Sequence, residues 1–182
     1  MSPPRAEATV GTVLAYVGLG SNLGDSADIV RAAMVALAAL AQTRLLRSSR
    51  LYRTPAWGMT AQPDFINAAA MIETRLSPPD LLAAMMGIER DAGRERCQDG
   101  SDRWGPRRLD LDLLLYGDQV IDQPGLRVPH PHLHERAFAL LPLVEIAPAA
   151  VIPGIGPARD ALAQVAIGDI HALPCDGPPG NA

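Results

Sequence analysis

Hydrophobic periodicity along this chain switches between the two-residue period of a strand and the 3.6-residue period of a helix in a definite order, and that order limits the fold more than any single residue does. Residues 12–19 are short-run apolar and β-branched, and they lead into a glycine-rich turn as a buried strand does. Asp25 or Ser26 can then cap a helix whose stripe is Ile29, Ala33, Ala36, Leu37 and Leu40 and which stops near Gln42. Residues 44–53 alternate, which predicts a strand with one wet face, and Thr54-Pro55-Ala56-Trp57-Gly58 breaks it. A second strand over 65–74 completes an antiparallel hairpin with a long connection containing Pro55, Gly58 and Pro63, and long ordered connections often carry function. Ser77-Pro78-Pro79-Asp80 opens a helix that runs to about Asp91 and offers Leu81, Leu82, Met85, Met86 and Ile88 to a core. Residues 92–108 have no period, 109–116 read as a central strand, and Gly117-Asp118 turns it.

Strand, helix, strand, strand, helix, strand is the α+β, ferredoxin-like βαββαβ arrangement, an antiparallel sheet with helices on one face. C-terminal additions decorate it: a last helix is expected from 135 to about 145, beyond Pro148 the chain is rich in proline and glycine, and the stretch after Leu173 reads as a loose tail. No linker or repeat divides the 182 residues, so one domain is expected, with its core over about 12–150 and loose termini at 1–11 and about 173–182.

Composition narrows the chemistry. All 16 strongly basic residues are arginine, which excludes a phosphate-loop lysine, a Schiff-base lysine and a lysine general base. A net charge of −4 and a pI near 5.5 argue against a nucleic-acid partner, whose footprint is a basic patch. Cys97 and Cys175 lack CxxC spacing and point to a reducing compartment. The apolar stretch from Ala8 to Gly20 reads as a first strand, not a signal peptide, and no run reaches the roughly 18 apolar residues that span a bilayer. A cytoplasmic monomer without a membrane partner is expected.

Several clusters can carry chemistry. Gly18-Leu19-Gly20-Ser21-Asn22-Leu23-Gly24 lies between a strand and a helix but has Leu23 where a dinucleotide fingerprint needs its third glycine. It is either a tight turn or a stretch in which the Gly20 backbone approaches a flat ligand. Asp110 and Asp112 are i and i+2 on a strand, on one face and about 6.6 Å apart at Cα, a pair that suits Mg²⁺ with phosphate oxygens or else two solvated aspartates. Arg94, Arg96, Arg103, Arg107 and Arg108 crowd the aperiodic stretch beside them, and guanidinium forks match phosphates. His130, His132 and His134 lack the partners of a structural zinc site; one histidine donating to a phosphate, with Arg136, is the expectation. Three of the scarce aromatics Trp57, Phe65, Trp104 and Phe138 stand in or beside expected loops, and with Asn67 the four could hold a flat heterocycle or else fill core gaps.

Together these motifs resemble the 6-hydroxymethyl-7,8-dihydropterin pyrophosphokinases of folate biosynthesis. The resemblance rests on the Gly18–Gly24 run, Tyr52-Arg53-Thr54-Pro55, Gln62-Pro63-Asp64-Phe65-Ile66-Asn67, Arg103-Trp104-Gly105-Pro106-Arg107 continuing into Leu109-Asp110-Leu111-Asp112, and Val128-Pro129-His130, in unbroken order over about residues 12–150. It implies ATP with two Mg²⁺ ions as cofactors and transfer of the pyrophosphoryl group of ATP to the pterin's hydroxymethyl oxygen, with release of AMP. Asp110 and Asp112 would bind both ions. Gly20, Thr54, Pro55, Trp57, Phe65, Asn67 and Phe138 would form the pterin pocket, and Glu89, Arg96, Trp104, Leu113, His130 and Arg136 would meet ATP. Arg94 and Arg107 would close over the phosphates as catalytic residues. Phe65 departs from the tyrosine often found at its position, and Cys97 begins a stretch longer than in the shortest members. A ferredoxin-like module that binds nucleotide or RNA without turnover is the alternative, and paired carboxylates on the sheet count against it. A two-metal nuclease is a third, disfavoured by the single carboxylate cluster.

Overall fold

A computed structural model describes residues 11–56, 61–94 and 105–174. The expectations for Trp57, Arg96, Cys97, Trp104 and Cys175, and for the ends at 1–10 and 175–182, lie outside the described residues.

The first strand, β1 (Val13–Ser21), is followed by α1 (Ser26–Ala38), and the Asp25 side chain accepts the Asp28 N–H as its N-cap. Then come β2 (Thr43–Ser48), β3 (Tyr52–Thr54) and β4 (Phe65–Thr74). The second helix, α2 (Pro78–Asp91), is capped by Ser77 with proline in its first turn, as its opening residues require. β5 (Asp110–Tyr116) precedes a small hairpin of β6 (Ile121–Gln123) and β7 (Leu126–Val128). A 3₁₀ turn (Leu133–Glu135) leads into α3 (Ala137–Ile146), close to the expected helix.

In the main sheet β5, β1 and β4 lie side by side and antiparallel, and β2 and β3 share the far edge of β4. The single strand expected over 44–53 is therefore two. The break falls at Ser49, whose Oγ accepts the Ala69 N–H at 2.9 Å in place of a ladder carbonyl while its own N–H bonds the Ala69 carbonyl. β2 then pairs with the outer half of β4, and β3 with the half that begins at Phe65.

Helices cover both faces of this sheet, where one was expected. On one face Val30, Ala33 and Leu37 of α1 and Leu81 and Met85 of α2 pack on Ala15, Val17, Leu19, Ile72, Leu111 and Leu113. On the other, Leu140, Leu143 and Ile146 of α3 meet Ala69, Leu114 and Leu115. Each such leucine, fully buried, contributes roughly 1.5–3 kcal/mol. Glu145 ties α3 to the sheet edge by accepting from Arg50 Nε at 3.1 Å and from Tyr52 Oη at 2.5 Å, and Arg47 donates to the Ile146 carbonyl.

The stretch beyond Pro148 is more ordered than its composition indicates. β8 (Val151–Ile152) and β9 (Gly156–Pro157) form a hairpin, α4 (Ala158–Gln164) buries Ala158 and Ala161 beside α3, and β10 (His171–Ala172) pairs with β3. Leu173, expected at the start of a loose tail, donates its N–H to the Leu51 carbonyl at 2.7 Å and packs on the core.

Candidate active site

The site begins with two residues that have no side chain. In β1, Gly18 and Gly20 face the α3 side of the sheet, and Gly18 pairs with Ala69 on β4 and Asp112 on β5, while Gly20 pairs with Asn67 and Asp110. The floor between these neighbours is bare backbone. A Cβ on Gly20 would stand 2.8 Å from Asn67 Oδ1, closer than atoms pack, so glycine here is a packing requirement of the neighbouring amide. Gly20 lies within a strand that lines a pocket and not in a tight turn.

Eleven of the expected site residues line that one pocket. On the β4 side stand Thr54, Pro55, Phe65 and Asn67 together with Phe138 of α3; on the β5 side stand Arg107, Asp110, Asp112, His130 and Arg136; Gly20 lies between. The Asn67 amide donates to Thr54 Oγ1 at 2.7 Å, which fixes its orientation with Oδ1 toward Gly20. The Arg136 guanidinium lies over the Phe138 ring, 5.7 Å from its centroid.

The two aspartates differ in environment. Asp110 Oδ2 accepts from Arg107 Nη1 at 2.8 Å and its Oδ1 from Arg94. Burial alone would raise this carboxyl, but the charges and hydrogen bonds of Arg107 and Arg94 hold it below the usual carboxylate range. Among the described residues, the nearest cation to Asp112 is the Arg136 guanidinium, with Nη1 at 3.9 Å, and the His130 Nε2 stands at the same distance. Although its side chain keeps 38% of its surface exposed, the protein packed around it, and then the charge of Asp110, push its carboxyl up to about 7. A carboxylate pair under-compensated in this way fits a divalent cation, whose remaining ligands would be phosphate oxygens and water. Among the described residues no group of three His, Cys, Asp or Glu side chains forms a metal cage by itself.

Burial, followed by the charge of Arg136, lowers the His130 pKa to about 4, so the ring is neutral at pH 7. Its Nδ1 accepts the His132 N–H at 3.3 Å, which leaves the ring proton on Nε2, the atom nearest Asp112. His132 and His134 instead turn to Glu135, at 3.2 and 3.4 Å.

Three expected residues lie off this pocket. Glu89 is only 1% exposed, and its Oε1 accepts from Arg94 at 2.5 Å and from the Leu111 N–H at 2.8 Å. Arg94 thus stands between Glu89 and Asp110, also donating to the Leu109 carbonyl. Leu113 lines a second groove with Leu82, Leu111, Leu126 and Arg127, and that groove meets the first pocket at Asp112 and His130. Residues without an assigned role in the sequence also line the first pocket, among them Gln62, Leu133 and Ala139. Asn22, 4% exposed, reaches Gln62 and Arg107. Gln62 and Asn22 belong to motifs already recognisable in the sequence, whereas Leu133 and Ala139 show only as ordinary apolar positions.

The chain is similar to known proteins over most of its length. The family model described as 7,8-dihydro-6-hydroxymethylpterin-pyrophosphokinase matches residues 16–148. A 2-amino-4-hydroxy-6-hydroxymethyldihydropteridine pyrophosphokinase of Pseudomonas aeruginosa is 43% identical over 159 residues, covering 87% of this chain and 96% of the relative. The protein of the same name from Methylorubrum extorquens is 46% identical over 151 residues, covering 83% and 92%. Among solved structures, the Plasmodium falciparum HPPK-DHPS complex with pteroate superposes with a TM-score of 0.65 at 14% identity, a likeness of fold. It covers 85% of this chain, which spans 42% of that longer one. On the family match and on the identity to these relatives, the chain belongs to the 7,8-dihydro-6-hydroxymethylpterin-pyrophosphokinase family.

Proposed function

We infer that the protein transfers the pyrophosphoryl group of ATP to the hydroxymethyl group of 6-hydroxymethyl-7,8-dihydropterin, giving the pterin diphosphate and AMP, a step of folate biosynthesis. The observation that carries this reading is the single pocket in which a bare glycine floor separates an oriented amide, Asn67, from the Asp110–Asp112 pair. A flat heterocycle can lie on the Gly20 backbone with the Asn67 amide at its edge, beside Thr54, Pro55, Phe65 and Phe138, with Trp57 as a further pterin contact. Its hydroxymethyl group would then point toward β5 and the phosphates.

In-line transfer between oxygens needs positioning and charge neutralisation more than covalent chemistry. Asp110 and Asp112 would hold two Mg²⁺ ions, which neutralise phosphate charge when bound. Binding there requires Arg107 and Arg94 to share or release the Asp110 oxygens and turn onto phosphate, which is the closure expected of these two catalytic residues. The His130 Nε2–H and the Arg136 guanidinium face the same space and would donate to phosphate oxygens. The second groove, continuous with Asp112 and His130, would take the nucleoside against Leu113. Arg96 and Trp104 belong to the same proposed ATP contacts, and Glu89 would act on ATP through Arg94 and the Leu111 backbone.

We read the sheet order as a ferredoxin-like frame with C-terminal additions. A cytoplasmic monomer with small-molecule substrates and neither nucleic acid nor membrane as partner completes the reading; the cysteine usage and acidic charge support it. An RNA-binding sheet module is disfavoured because α3 covers the face that would hold RNA.

The test is AMP formation from ATP and Mg²⁺ with and without the pterin, in wild type and in Asp112→Ala. Pterin-dependent AMP in wild type and a loss of at least about a hundredfold in the variant are expected, the scale of removing a principal electrostatic group. Formation of ADP by folded wild-type protein, or full activity of the variant, would refute the reading.

A further inference from the structure

Asn22 joins the two halves of the pocket through its side-chain amide. It follows β1 directly and is buried, and its bonding reaches two segments far away in sequence. Nδ2 donates to Gln62 Oε1 and to the Pro63 carbonyl, both at 3.1 Å. Oδ1 accepts the Arg107 N–H at 2.8 Å, and the Asn22 N–H donates to the Arg107 carbonyl at 3.1 Å. The last two bonds close a ring that extends the β1–β5 pairing past Gly20 and Asp110.

Both anchored segments end in the pocket. Gln62 lines it, and the turn it belongs to delivers Phe65 at the start of β4. Arg107 lines it from the other side and holds Asp110 through Nη1. A carboxamide is suited to this place because one planar, uncharged group supplies two donors and an acceptor at once. A shift of the 61–64 turn that shortens or breaks the Nδ2 bonds therefore rotates the same amide that fixes the Arg107 backbone.

We propose that Asn22 is the positioning residue through which occupancy of the pterin side of the pocket and placement of Arg107 on the phosphate side favour one another. The inference rests on the pterin and phosphate reading given above. Because coupling between two sites is reciprocal, it is measurable as a ratio of affinities without turnover.

The experiment titrates 6-hydroxymethylpterin fluorescence with and without saturating α,β-methylene ATP and Mg²⁺, in wild type, Asn22→Ala, Asn22→Asp and Gln62→Ala. The Asp variant keeps the acceptor for the Arg107 N–H but sets an oxygen against Gln62 Oε1 and the Pro63 carbonyl, so it breaks one arm only. Wild type should bind the pterin at least about fivefold tighter with the analogue present, the lower end of typical coupling. The ratio should fall to about one in both Asn22 variants and to an intermediate value in Gln62→Ala, whose partly exposed side chain the fold tolerates, while analogue affinity alone changes by less than about threefold, under 0.7 kcal/mol. An unchanged ratio in the variants that bind both ligands would overturn the proposal alone. Failure of wild type to bind the pterin would overturn the reading of the pocket, and the proposal with it.

Discussion

At the scale of single residues, the site depends on an atom that is missing. The space over Gly20 exists because a Cβ there would meet Asn67 Oδ1 at 2.8 Å, and that amide is held from its other end by Thr54. Gly20→Ala should therefore turn the amide away from its productive orientation. The expected result is a rise of about tenfold or more in KM for the pterin with KM for ATP nearly unchanged, plus a stability loss of about 1–3 kcal/mol from overpacking. Steady-state kinetics on both substrates checks this, and an equal change in both constants would contradict the placement. Gly20, Asn67, Asp110 and Asp112 were all legible in the sequence, because glycine, amide and paired acids have few reasons to stand at strand ends. Glu89 entered only through the family resemblance, as an expected ATP contact. Its burial under β5, where it accepts the Leu111 N–H and pairs with Arg94, depends on how α2 packs.

At the scale of elements, periodicity placed β1, β4, α2 and β5 within a residue or two of their limits, since each combines a clear period with proline, glycine or capping residues at its ends. It joined β2 and β3 wrongly. Alternation continues through Ser49, and nothing local shows that a hydroxyl will replace a ladder carbonyl opposite Ala69. Ser49→Ala should leave the buried Ala69 N–H without this acceptor and cost about 1–3 kcal/mol in urea unfolding. A loss below about 0.5 kcal/mol, within the range of ordinary surface substitutions, would mean that the hydroxyl has no such part. α4 was missed because its seven residues are too few for a period to show, and it is held by Ala158 and Ala161 against α3.

At the scale of the whole molecule, the fold brings Asp112 close to Asp110 with the Arg136 guanidinium 3.9 Å away, and stability should record the strain on charge. Packing around the carboxyl, and then Asp110, raise the folded-state pKa of Asp112 to about 7, above the ordinary carboxylate value. Its contribution to stability is thus fully present below about pH 4 and lost as pH rises through about 7. In chelator, the Tm of wild type should fall over that interval relative to Asp112→Asn, and the variant should be the more stable at pH 8 although inactive. Parallel Tm profiles would contradict the assignment. Such a trade of stability for function is common at sites built to receive a cation. By itself the sequence determined the order of the principal elements, the absence of lysine chemistry and the residue types of the site, because periodicity, capping and composition are local properties. Only the tertiary structure decided that helices cover both sheet faces, that Glu89 lies buried behind Arg94, and that Asn22 spans from Gln62 to Arg107. Those outcomes depend on contacts between segments distant along the chain, where burial and hydrogen-bond geometry are set by packing that no local pattern encodes.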